Sequence, residues 1–127
     1  MSSVYLDTHG AVFLHAGALE LLGTEGKRQI EHNDLLISPT VLIEMNYLYE
    51  SAKIRYTAKE IYAVLNAAFG VSLCPIPFSD VAIQALDLTW TRDPFDRIIV
   101  AQAQVNQHAT LITRDRTLQI HYKRCVW

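Results

Sequence analysis

Short apolar runs alternate along the chain with longer stretches in which apolar residues recur at helical spacing. Val4–Leu6 reads as a buried strand, and Leu35–Ile37, Val71–Cys74 and Leu111–Ile112 repeat the signal. Gly10–Leu22 is helical in pattern, with a break near Gly17. Thr24 is the expected cap of a helix to His32, and Asn33 ends it. Ser38 caps and Pro39 opens a helix through Lys53. Thr57 caps another that runs to Phe69, where Gly70 stops it. Ser79 or Asp80 begins a helix to Leu88, and Asp93-Pro94 begins one that reaches Gln107. A single helical turn at Thr117–Ile120 and an edge strand formed by the tail Tyr122–Trp127 complete the pattern. Strands that alternate with helices need crossover connections, which predicts an α/β fold: a mainly parallel sheet with helices on both faces. The 127 residues fit one domain, and half of them are hydrophobic, enough for a core without disulfides.

Open α/β sheets bind ligands outside the carboxyl ends of their strands. Asp7 follows the first strand and Asp115 follows Leu111-Ile112. Glu44 lies on the helix after the second strand; Asp93 and Asp96 begin the long late helix. Each acid also has a local reading. Asp7, Asp93 and Asp115 are good helix caps, and Asp96 is a first-turn acid that complements the helix dipole. Asp96 fits that reading less well, because the helix beyond it (Ile98, Ile99, Val100, Ala101, Ala103) is apolar. Glu44 shares one helical stripe with Val41, Met45 and Leu48, so its carboxylate requires a cation, a metal or a proton. An ion pair with Arg97 or Arg55 would meet that need within the protein. Carboxylates converging from separate strand ends repel one another, and hard cations such as Mg²⁺ or Mn²⁺ remove the conflict. The chemistry served by such a set is in-line attack of a metal-activated water on a phosphodiester.

Four segments carry a resemblance that spans the chain. They are Tyr5-Leu6-Asp7-Thr8-His9, Ile37–Glu44, Arg92-Asp93-Pro94-Phe95-Asp96-Arg97 and Leu111-Ile112-Thr113-Arg114-Asp115. In order and spacing the chain resembles PIN domains, and most of all the VapC-type toxins of toxin–antitoxin pairs. The resemblance implies a PIN-like three-layer α/β/α sandwich over residues 1–127. It implies an Mg²⁺- or Mn²⁺-dependent endoribonuclease, a homodimer, and a cognate antitoxin that covers the active site. Its acids fall on Asp7, Glu44, Asp96 and Asp115, with Asp93 accessory. Within that scheme Asp7 and Asp96 ligate metal directly, and Asp115 does so directly or through water. Glu44 holds a second ion or orients the attacking water. Thr8 or Thr113 hydrogen-bonds a ligand or the scissile phosphate, and Arg97 pairs with a carboxylate inside the protein.

The remaining signals are weaker. A net charge of −2 gives no bulk nucleic-acid signature, although Arg114, Arg116, Lys123 and Arg124 gather late in the chain. They fit a solvated surface or a basic rim equally well. Cys74 and Cys125 have no CxxC spacing and read as small core residues. Without a signal-peptide core or membrane-length apolar stretch, a cytoplasmic location is expected. The histidines show no metal-ligand spacing; His9, two residues past Asp7, reads as capped or solvent-facing. Tyr47, Tyr49, Tyr56 and Tyr62 could stack bases or line a protein groove, but read first as packing between helices; the helix pair Ser38–Lys53 and Thr57–Phe69 is the candidate antitoxin surface. Two other readings compete. A receiver- or dehalogenase-like phosphoacceptor is disfavoured because Asp7-Thr8-His9 lacks a DxD and Thr113-Arg114-Asp115 lacks the late lysine. A non-catalytic binding module with this fold is separable only by activity.

Overall fold

The computed structural model describes residues 2–127. The strands are β1 (Ser3–Leu6), β2 (Asp34–Ile37), β3 (Ser72–Leu73), β4 (Thr110–Ile112) and β5 (Cys125–Val126). The helices are α1 (Thr8–His15), α2 (Thr24–His32), α3 (Pro39–Glu50), α4 (Ala58–Phe69), α5 (Phe78–Ala85), α6 (Pro94–Val105) and α7 (Arg116–His121). A 3₁₀ turn at Leu19–Leu21 joins α1 to α2.

The five strands lie in the order β3-β2-β1-β4-β5, and every pairing is parallel. Tyr5 of β1 faces Leu36 on one side and Leu111 on the other. Successive residues of a strand point to opposite faces. Val4, Tyr5 and Leu6 are all buried, so helices cover both faces of the sheet at its centre. The chain moves outward from β1 to β3, then crosses back to β4 and β5. Right-handed crossovers therefore place the helices that follow β1 and β2 on one face and those that follow β3 and β4 on the other. Among the former, α1, α3 and α4 pack on one another; on the other side α5 packs on α6. The expected α/β sandwich with a parallel sheet is thus what the chain forms.

Most boundaries fall where local chemistry puts them. Ser38 caps α3, with Pro39 at its first position. Thr57 and Glu60 form a reciprocal capping box on α4, and Gly70 ends that helix in the left-handed conformation at φ 67°. The differences have identifiable causes. Helix α1 begins at Thr8 rather than Gly10, because the Asp7 side chain caps it. Gly23, not Thr24, is the cap residue of α2 and makes no side-chain cap bond. The backbone of Trp127 lies against this turn: a Cβ on Gly26 would stand 2.9 Å from the Trp127 carbonyl carbon, and one on Gly23 would be closer still. Helix α5 starts at Phe78 and ends at Ala85, short of Leu88. Helices α3 and α6 stop at Glu50 and Val105, before Lys53 and Gln107; Ala52, Gln107 and His108 then turn the chain at positive φ. Helix α7 spans Arg116–His121, wider than the single turn read from the pattern.

The cysteines depart from a purely apolar role. Cys74 is buried, but its Sγ lies 2.9 Å from the Tyr5 hydroxyl and accepts from Gln102 Nε2 at 3.0 Å. Asn106 Nδ2 also donates to the Tyr5 hydroxyl, at 2.8 Å, which ties α6 to β1 and β3 through polar contacts. Cys125 is only half-buried, in β5. Tyr47, Tyr49 and Tyr56 are exposed rather than packed between helices, and only Tyr62 packs partly against the core. Among the described residues, no helix is long and apolar enough to cross a membrane.

Leu65 of α4 is wholly buried in this core. Leu65→Ala should destabilise the protein by about 2–5 kcal/mol, since a cavity adds to the lost transfer energy. Urea unfolding followed by circular dichroism measures it; a loss below about 1 kcal/mol would mean that α4 is not part of the core.

Candidate active site

The strand order reverses between β1 and β4, so a crevice opens at their carboxyl ends. Asp7 leaves β1 there, and Thr113 leaves β4 beside it. The Asp7 amide donates to the Ile112 carbonyl at 3.2 Å, which continues the β1–β4 pairing one residue further. Asp7 is 5 % exposed. Its Oδ1 accepts from the Gly10 amide at 2.7 Å and its Oδ2 from the Thr113 hydroxyl at 2.5 Å. Burial pushes its carboxyl above the usual range, while the bonds from Thr113 and Gly10 pull it down. The capping reading of Asp7 and its position at the site are therefore both true.

Gly10, not singled out by the sequence pattern, makes this seat possible. A Cβ there would stand 3.1 Å from Asp7 Oδ1 and 3.4 Å from the Ile112 carbonyl oxygen. The signal that could have found it is the i, i+3 spacing of Asp7 and Gly10 at a helix start.

Glu44 projects from the second turn of α3, half-buried. The ion pair considered for it with Arg97 or Arg55 does not form: Arg28–Glu25 is the only salt bridge among the described residues. Instead the Thr8 hydroxyl donates to Glu44 Oε1. Arg97 does not pair with a carboxylate; its Nε donates to the Thr91 carbonyl at 2.7 Å and braces the approach to α6. Thr8 and Thr113 are both buried and each hydrogen-bonds an acid.

Asp93 caps α6 by accepting from the Phe95 and Asp96 amides at 2.9 and 3.3 Å. Asp115 caps α7 in the same way, accepting from the Leu118 amide at 3.0 Å, and its own amide donates to Thr113 Oγ1 at 3.1 Å. Asp96 is the acid without such support. Burial pushes its carboxyl up to about 7, reinforced by repulsion from Asp93, Asp115, Glu44 and Asp7. The five acids singled out from sequence thus act on one point. Burial also pushes the Cys125 thiol up to about 12, with Asp7 and Asp115 adding to the effect. His9 is exposed, and it is among the groups that pull the Asp7 carboxyl down.

The donors suit a hard divalent cation, because all are carboxylate oxygens and their mutual repulsion is what such an ion offsets. As placed, no three His, Cys, Asp or Glu side chains among the described residues converge tightly enough to hold an ion. Ion binding here requires side-chain rotation or bridging waters, which Mg²⁺ retains readily.

The PIN domain family model matches residues 4–123. Among solved structures, the chain is similar to that of VapBC2 from Rickettsia felis bound to a DNA fragment from its promoter. The TM-score is 0.62 at 16% identity, over 98% of this chain and 96% of that one. It is similar also to DNA-bound VapBC from Salmonella typhimurium, with a TM-score of 0.61 at 17% identity over 94% of this chain and 92% of that one. No curated protein sequence matches significantly. A family model that accounts for nearly the whole chain places it in the PIN-domain family.

Proposed function

We propose that this protein is a divalent-metal-dependent endoribonuclease of the VapC toxin type. The observation that carries the reading is the Asp96 carboxyl, raised to about 7 by burial and by four neighbouring acids at a strand-end crevice. Asp7, Asp96 and Asp115 would hold Mg²⁺ or Mn²⁺, with Glu44 at the same edge. A divalent ion supplies acidity to water and offsets charge on the leaving oxygen of a phosphodiester.

The chain's own groups prepare the rest. Thr113 and Gly10 fix the orientation of Asp7, so the ligand set is partly ordered before an ion arrives. Thr8 occupies Glu44 Oε1, which leaves Oε2 to take a hydrogen bond from the attacking water and align it. Asp93 and Asp115 hold the first turns of α6 and α7 against the crevice.

The same reading includes a protein partner. Ile43 and Tyr47 on α3 and Val64 on α4 are exposed at 64%, 56% and 45%. A groove of about 740 Å³ between these helices ends at Phe95, next to Asp96. An antitoxin segment lying there would reach the acids, in keeping with the similarity to VapBC assemblies. A homodimer and a cytoplasmic location belong to the same proposal.

Three outcomes follow. Purified, partner-free protein should cut unstructured RNA with Mg²⁺ or Mn²⁺ and stop with EDTA; Asp96→Asn should lower the rate by about 100-fold or more. A folded, metal-binding protein that cuts no RNA would instead favour a non-catalytic binding module. In EDTA, the same Asp96→Asn protein should be more stable than the parent at pH 8. A carboxyl raised in the folded state favours folding below the unfolded value of 3.8, and that contribution is lost as pH rises through about 7. Urea midpoints at pH 5 and pH 8 test this, and an equal gap at both would refute it. Ile43→Asp should abolish binding of a co-expressed antitoxin without loss of fold, read by co-purification; retained binding moves the partner off this groove.

A further inference from the structure

Arg114 stands between Thr113, which holds Asp7, and Asp115, which caps α7. An exposed guanidinium next in sequence to Asp115 would be expected to fold onto a carboxylate. It does not: among the described residues it forms no ion pair. Its carbon lies 4.7 Å from the centroid of the Phe13 ring and 5.9 Å from that of Trp127. The two rings meet edge to face at 5.9 Å, and the Trp127 indole N–H donates to the Leu21 carbonyl at 2.9 Å. Phe13 lies on α1, one turn beyond His9.

The aromatic seat satisfies the cation through the faces of the rings and leaves its N–H edges unused. A planar guanidinium presents paired donors that match two phosphate oxygens, and fixing its plane beforehand lowers the entropy cost of the contact. The acidic crevice repels a polyanion, so a cation held at its rim but kept off the acids answers a need of the site.

We infer that Arg114, seated on Phe13 and Trp127, holds a backbone phosphate of single-stranded RNA beside the scissile bond. This rests on the ribonuclease reading of the site and adds a substrate-positioning residue to it.

The test is equilibrium binding of a fluorescent single-stranded oligoribonucleotide to Asp96→Asn protein with Mg²⁺, from about 50 to 200 mM salt. Losing one phosphate contact should reduce the slope of log K against log salt by about 0.7. Arg114→Gln is expected to show that reduction. Arg28→Gln removes the same charge from α2, which borders the opposite end of the sheet, and should not. Phe13→Leu keeps the charge but removes the seat; it should weaken binding at an unchanged slope, with circular dichroism confirming the fold. An unchanged slope in Arg114→Gln, or an equal change in Arg28→Gln, overturns the assignment while the ribonuclease reading stands. If the parent protein neither binds nor cuts single-stranded RNA, the reading itself falls, and the role of Arg114 with it.

Discussion

The structure turns on a single buried carboxylate. Asp7 sits where β1 ends, nearly out of reach of water, and two donors hold it there: the Gly10 amide and the Thr113 hydroxyl. A buried charge without partners would be a large liability. Each of its partners therefore does two jobs. Gly10 lies in the first turn of α1 and also vacates the space that the carboxylate needs. Thr113 joins the end of β4 to the end of β1 across the point where the sheet changes direction, and it also receives the Asp115 amide. Helix start, strand junction and the order of the acids are consequences of one cluster of hydrogen bonds.

Asp96 shows the opposite condition. Its neighbours raise its proton affinity instead of relieving it. A folded chain can carry such a group when the strain is confined to a few residues and the surrounding elements are over-determined. Here α6 is capped by Asp93 at its mouth and buried along Ile99–Ala103, so the helix holds its position whatever Asp96 experiences. A site of this kind is built from acids in unlike states: one satisfied by donors and one left in want of a cation.

Much of this was legible in the residue order, and the reason is locality. Caps, proline starts, a capping box and a left-handed glycine act within a few residues, and they set the starts of α3, α4 and α6 and the end of α4 correctly. The acids were legible because strand ends announce themselves in an alternating α/β pattern. What escaped depends on residues far apart in sequence. Trp127 backing against Gly23 and Gly26 decides how α2 begins, across about a hundred residues. Thr8 choosing Glu44 follows from how α1 and α3 are set against one another. Arg97 is the exception: its bond to the Thr91 carbonyl is only six residues long, and it follows from the path of the loop that leads into α6. Even the cysteine at the end of β3 proved to belong to a polar contact with β1 and α6. The exposed tyrosines of α3 show the complementary error: a helical stripe reveals which face is apolar, but not whether the chain itself covers that face.

The sheet ends on both sides in strands of two residues, β3 and β5. A parallel sheet with edges so short offers almost no unpaired backbone for another chain to extend. That protects a protein with an apolar central sheet from edge-to-edge aggregation. It also means that whatever this molecule recognises must be grasped by side chains on its helices and at its crevice, because recognition by strand addition has nowhere to begin.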